Sequence, residues 1–131
     1  MQLTAQKYGY SKTVNYSFNE ALERTKKALQ DQGFGVQAEI NLSRALREKL
    51  RIEVPEQIIL GACNPQLAHK ALQAESVIGL LLPCNVTVRQ DSLQVKVAVI
   101  DPERLMDFVG NPELRPIAEE AKRITSVLER M

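Results

Sequence analysis

The chain lacks an excess of charge of either sign: 17 Lys and Arg stand against 16 Asp and Glu, leaving a net charge of +1. Nucleic-acid binding draws on basic residues gathered on one surface. Here Arg and Lys are interleaved with Glu and Asp throughout, so charge implies no partner and nucleic acid is not expected. Long apolar runs are missing as well. The longest, Val77 to Leu82, contains Gly79 and stops at Pro83, far short of the roughly 20 residues that span a bilayer. The stretch Met1 to Lys12 has no charged region, apolar run and small-residue cleavage site in succession, so no secretory signal is read there. The expectation is a soluble chain in the cytoplasm with no membrane partner. Cysteine and histidine are scarce: Cys63, Cys84 and His69. Two thiols and one imidazole, with no CxxC or HxxxH spacing, fall short of the four ligands of structural zinc unless a dimer supplies the rest. The metal and cofactor stay unknown.

What is present is an ordinary apolar fraction over 131 residues, which fits one domain, residues 1–131, with a single core. Tyr8, Tyr10, Val14 and Tyr16 share a parity, interrupted by Lys12, and predict a strand over 6–15. Ser17 and Glu20 form a capping box ahead of Phe18, Ala21, Leu22, Thr25, Ala28 and Leu29 at helical spacing, closed by Gly33. A strand follows from Phe34 to Ile40. Gly33-Phe34-Gly35 lacks the third glycine of a nucleotide fingerprint and precedes a strand, so it is read as structural. Asn41 caps a short helix with Leu42, Ala45, Leu46 and Leu50 on one face and Arg44, Arg47, Glu48 and Lys49 in water. Gln57 to Ala62 is apolar on both parities and predicts a strand covered on both faces. Asn64-Pro65, Asp101-Pro102 and Asn111-Pro112 each place an Asx cap before a proline at the first helical position. Leu67, Ala68, Ala71 and Leu72 form the expected buried stripe of the first, with His69 off it. Val86 to Val99 alternates around Gln90-Asp91-Ser92, a hairpin with one polar parity. The fold expected is α+β, an antiparallel sheet with helices mainly on one face.

The stretch Gln57 to Gln90 holds both cysteines. If its two strands are antiparallel neighbours joined through the Pro65 helix, Cys63, Asn64, Cys84 and Asn85 meet at one edge of the sheet. Helix amides there lower a thiol pKa or hold an anion. Against this stands an inert reading, in which both thiols are core residues and both asparagines are caps. His69 sits a turn into the helix, away from Cys63, with no third group to orient a nucleophile-base pair. Glu39, Glu53, Asp91 and Asp101 show no paired arrangement.

The strings Leu60-Gly61-Ala62-Cys63-Asn64-Pro65, with Leu67-Ala68 after them, and Gly79-Leu80-Leu81-Leu82-Pro83-Cys84-Asn85-Val86 resemble the domain of unknown function 302 family (DUF302). So do Gly33-Phe34-Gly35-Val36 and the Asp101-Pro102 step. The resemblance covers almost the whole chain. It implies a TATA-binding-protein-like β-α-β4-α outline with extra short helices, often dimeric, and no established activity; fold likeness carries no function by itself.

Three functions follow as expectations. The first is a non-enzymatic binding module holding a small anion, metal or thiol-reactive ligand at Cys63, Asn64, Cys84 and Asn85. The second is a redox protein cycling the two thiols. The third is a structural or regulatory homodimer with inert core cysteines, formed through the open sheet face or a sheet edge. No catalytic residue is assigned, and an enzyme is not the favoured reading.

Overall fold

The computed structural model describes residues 3–131. Six strands form one antiparallel sheet: β1 (Thr4–Ala5), β2 (Gly9–Val14), β3 (Gly35–Asn41), β4 (Gln57–Cys63), β5 (Cys84–Asp91) and β6 (Gln94–Ile100), in the order β1-β2-β6-β5-β4-β3. The helices are α1 (Phe18–Asp31), α2 (Leu42–Leu50), α3 (Pro65–Ala74), α4 (Pro102–Val109) and α5 (Arg115–Ala121), with short 3-10 turns between several of them. From β2 onward this is the β-α-β4-α outline, with α2 and α3 inserted between strands and α4 before the C-terminal helix.

Side-chain alternation sorts the sheet into two faces. Ile58, Leu60 and Ala62 of β4, Val86 and Val88 of β5, and Val95, Val97 and Val99 of β6 are all buried. They pack beneath α1 and the C-terminal helical segment, which supplies Ala121, Ile124, Val127 and Leu128. The opposite parity, with Ile40, Ile59, Thr87 and Lys96, is only partly covered or exposed. Gln57–Cys63 is thus an interior strand buried on one face, not two. Lys12 does not interrupt the first pattern, because β2 lies beside the end of the cover. Its Nζ donates to the carbonyls of Leu128 at 2.9 Å and Met131 at 3.2 Å. Tyr8 falls outside β2 and is 66 % exposed.

Local signals set the helix starts. The Ser17 Oγ accepts from the Glu20 amide at 3.2 Å. Glu20 turns its carboxylate to Arg24, at 3.1 Å, so only half of the expected capping box forms. Gly33 takes φ +83° after α1, the left-handed conformation that glycine tolerates. All three Asx-Pro steps cap as expected, through the amides of Leu67, Glu103 and Glu113. The last opens a 3-10 turn before α5, and another 3-10 stretch, Lys122–Arg130, follows it, so the C-terminal segment is three short helical pieces. The largest departure is α2. Ser43 is its buried residue, hydrogen-bonded around Glu56 and Gln57, and Arg47 pairs with Glu56 at 3.1 Å. Anchored through that polar side, α2 leaves Leu50 61 % exposed. In α3, Leu67 and Ala71 are buried and Leu72 is not.

Candidate functional site

The β4–β5 register decides what the cysteines do. Ala62 is the partner of Cys84, and Gly61 of Asn85. Cys84 therefore shares the buried parity with Ala62, while Cys63, one residue on, belongs to the other parity. A single-residue offset turns a side chain to the opposite face. The two cysteines are free, and the expected cysteine pair does not form. Nor do helix amides activate them. Pro65 has no amide to offer, and the Leu67 amide already donates to Asn64 Oδ1 at 3.0 Å. Burial raises the Cys63 thiol above its ordinary value. Burial, with Cys63 as a second cause, pushes Cys84 up to about 11. Neither thiol is an activated nucleophile at neutral pH.

Asn64 is 8 % exposed and fully engaged, since its Nδ2 also donates to the Gly33 carbonyl at 3.0 Å. It ties the end of α1 to the start of α3. Asn85 is exposed on the outer parity. Gly61 is close-packed there, for a Cβ would come within 2.7 Å of Pro83 Cγ. His69 is exposed on α3. Among the described residues, no group of three or more His, Cys, Asp and Glu side chains is placed to hold a metal ion.

A larger opening lies elsewhere, where β2 and the end of β6 meet α4 and α5. It is a cleft of about 520 Å³. Asp101 sits at its inner end, only 4 % exposed. Its Oδ1 accepts from the Glu103 amide at 3.0 Å and its Oδ2 from the Tyr10 hydroxyl at 3.4 Å. Lys122 Nζ lies 3.8 Å from Asp101 Oδ2 and 2.7 Å from Glu103 Oε1, and 5.8 Å from the centre of the Tyr10 ring. The hydrogen bond to Glu103, aided by the Asp101 charge, raises the Lys122 pKa. Lys122 is consequently a fixed positive charge and not a base or an amine nucleophile.

Four other charged side chains line the same cleft: Arg104 and Asp107 from α4, Arg115 and Glu119 from α5. Among the described residues none of the four is in an ion pair within 4.0 Å. A groove of about 540 Å³ by the start of α1 differs in part, since of the charged side chains that line it only Arg44 is in no ion pair among the described residues. There Arg47 is taken by Glu56 and Glu39 by Lys26.

Sequence reasoning named Asp101 as a cap and missed the rest of the cleft. Arg115, Glu119 and Lys122 do recur at i, i+4 and i+7, one face of a helix, and that stripe is the available signal. Nothing local joins it to Tyr10, which lies 91 residues from Asp101.

These features define an α+β protein whose antiparallel sheet is covered by helices on one face, with a charged cleft at one side of that cover. Residues 10–131 match the family described as Domain of unknown function DUF302, and the chain belongs to that family. It is similar to a solved structure described as the crystal structure of uncharacterized conserved protein DUF302 from Bacillus stearothermophilus. The TM-score is 0.87 and the identity 31 %, over 93 % of this chain and 96 % of that one. None of the curated proteins compared with the chain matches it. No helix among the described residues is long and apolar enough to cross a membrane.

Proposed function

We propose that this protein is a binding module for a small zwitterionic molecule, held in the cleft between α4 and α5. The observation that carries the reading is the charge state of the walls. Lys122 is shared by Asp101 and Glu103 at the inner end, which leaves one negative charge in excess there, while Arg104, Arg115, Asp107 and Glu119, all exposed, are in no ion pair within 4.0 Å. A ligand with one carboxylate and one ammonium group satisfies both signs. A simple anion leaves Asp107 and Glu119 opposed to it. The Cys63/Cys84 edge is less suited to a small anion, metal or thiol-reactive ligand, since the void there is about 40 Å³ and its walls are apolar. Thiol cycling is disfavoured by the opposite parity of the two residues. Two unbridged thiols support a cytoplasmic setting.

The test is titration of the labelled protein with glycine, acetate and methylammonium, followed by amide shifts in α4 and α5. Glycine is expected to bind more tightly than either half-molecule. Replacing Arg104 and Arg115 together by Gln weakens glycine by about tenfold, the scale of a charge-assisted hydrogen bond. Equal response to all three, or none to any, sinks the reading.

A homodimer is a second reading, favoured by the uncovered sheet face. Ile40 on that face is 52 % exposed, and Leu50 and Ile52, on and just after α2, are 61 % and 44 % exposed. A second copy of the chain buries such surface at no cost in new sequence.

A further inference from the structure

The charge of the cleft runs against that of the chain. The whole sequence carries +1, yet of the seven charged side chains that line the cleft four are acidic and three basic. Its walls hold one negative charge in excess. Arg104 and Arg115 balance Asp107 and Glu119, all four of them exposed. The imbalance therefore sits at the inner end, where Asp101 and Glu103 share Lys122 as their one counter-charge. The Tyr10 hydroxyl adds a hydrogen bond to Asp101 at 3.4 Å, not a cation.

Burial decides which of the two inner carboxylates is left to a ligand. Asp101 is 4 % exposed, and its oxygens accept from the Glu103 amide and the Tyr10 hydroxyl. The Glu103 side chain keeps 35 % of its surface exposed and meets Lys122 through Oε1 at 2.7 Å. An ionised carboxylate offers roughly four lone-pair sites, so one ammonium group does not exhaust it. A partly buried charge is also screened less than one at the rim. The inner excess consequently weighs more in selecting a ligand than any one rim charge does.

We propose that the ligand of the cleft is a diamino acid, a zwitterion whose side chain ends in a second ammonium group. This rests on the zwitterion reading above and narrows it. The carboxylate lies against Arg104 and Arg115, the α-ammonium group against Asp107 and Glu119, and the distal ammonium group against Glu103. A ligand of net charge +1 cancels the excess on the walls. A monoamino acid leaves Asp101 and Glu103 with one counter-charge between them, and an acidic amino acid adds a third carboxylate to that end. The cleft, at about 520 Å³, lies within the roughly 300–1,000 Å³ of small-molecule sites.

The experiment titrates the full chain with two matched pairs, ornithine against norvaline and lysine against norleucine, each pair differing by the distal ammonium group alone. Glutamate is the acidic control. Dissociation constants come from calorimetry at low salt, with the α4 and α5 amides followed in parallel. The diamino member of at least one pair is expected to bind about fivefold more tightly, the scale of a partly exposed ion pair, and glutamate to bind weakest. Glu103→Gln is expected to abolish the difference within the pair. Glu129→Gln, which removes the same charge from an exposed position outside the cleft, is expected to keep it. Norvaline and norleucine binding as tightly as ornithine and lysine overturns this inference and leaves the zwitterion reading standing. A difference that survives Glu103→Gln overturns the placement of the distal group. No amide shift from any member overturns both readings.

Discussion

Ala62 stands opposite Cys84 across the antiparallel β4–β5 pair, and both are buried on the covered side of the sheet, at 1 % and 8 % exposure. Cys63 is the next residue along β4 and so turns to the other side. Nearness along the chain direction is not nearness of thiols.

Mild oxidation of the native protein should therefore leave Cys63 and Cys84 unbridged, since a disulfide needs Cβ atoms that point toward each other. Mass spectrometry of a non-reduced digest is the check. A Cys63–Cys84 peptide recovered in quantity under native conditions would falsify the assignment of the two thiols to opposite faces.

Burial of Cys84 makes stability depend on alkaline pH. Its thiol is held at about 11 in the folded chain against 9.0 as the ordinary value. Below pH 9 both states keep the proton. Between the two values the unfolded chain releases it and the folded chain does not, so stability falls as pH rises, by roughly 2–3 kcal/mol in all. Urea unfolding from pH 8 to 11 on wild type and Cys84→Ala isolates this contribution. The variant should show a shallower loss; identical pH profiles would remove Cys84 as its source.

Asn64→Ala should destabilise by about 2 kcal/mol, combining a lost helix cap with a Gly33 carbonyl left without its donor. Asn64→Asp keeps the acceptor for the Leu67 amide and loses the donor to Gly33, so an intermediate effect is expected. Chemical denaturation of the three proteins orders them. An alanine variant as stable as wild type would mean the link between α1 and α3 contributes nothing.

If a second copy covers the open sheet face, a charge there should separate the two. Ile40→Asp is expected to move the protein from dimer to monomer in sedimentation at tens of micromolar, near the range in which interfaces of modest affinity hold. Its own fold should survive, because Ile40 is half-exposed. Wild type that sediments as a monomer at the same concentration ends the dimer reading.

Much of the fold was legible because its signals act within a few residues. Ser17 and Gly33 bound α1, and the Asx-Pro steps at 64, 101 and 111 cap through amides two or three residues away. The Gln90-Asp91-Ser92 turn likewise joins two strands whose own alternation declares them. The α2 helix shows where such reading stops. Its apolar stripe is clear in sequence, yet Ser43 and Arg47 found Glu56 and Gln57 and fixed which side faces inward. The same limit applied to both candidate sites. Spacing brought Cys63 and Cys84 to one edge, but a register offset of one residue, which no local pattern specifies, decided their faces. The charged cleft needs Tyr10 from one end of the chain and Lys122 from the other around Asp101. The sequence by itself determined which elements exist and where they start; the packing of distant elements decided which side chains share a space, because those contacts form only once the sheet closes.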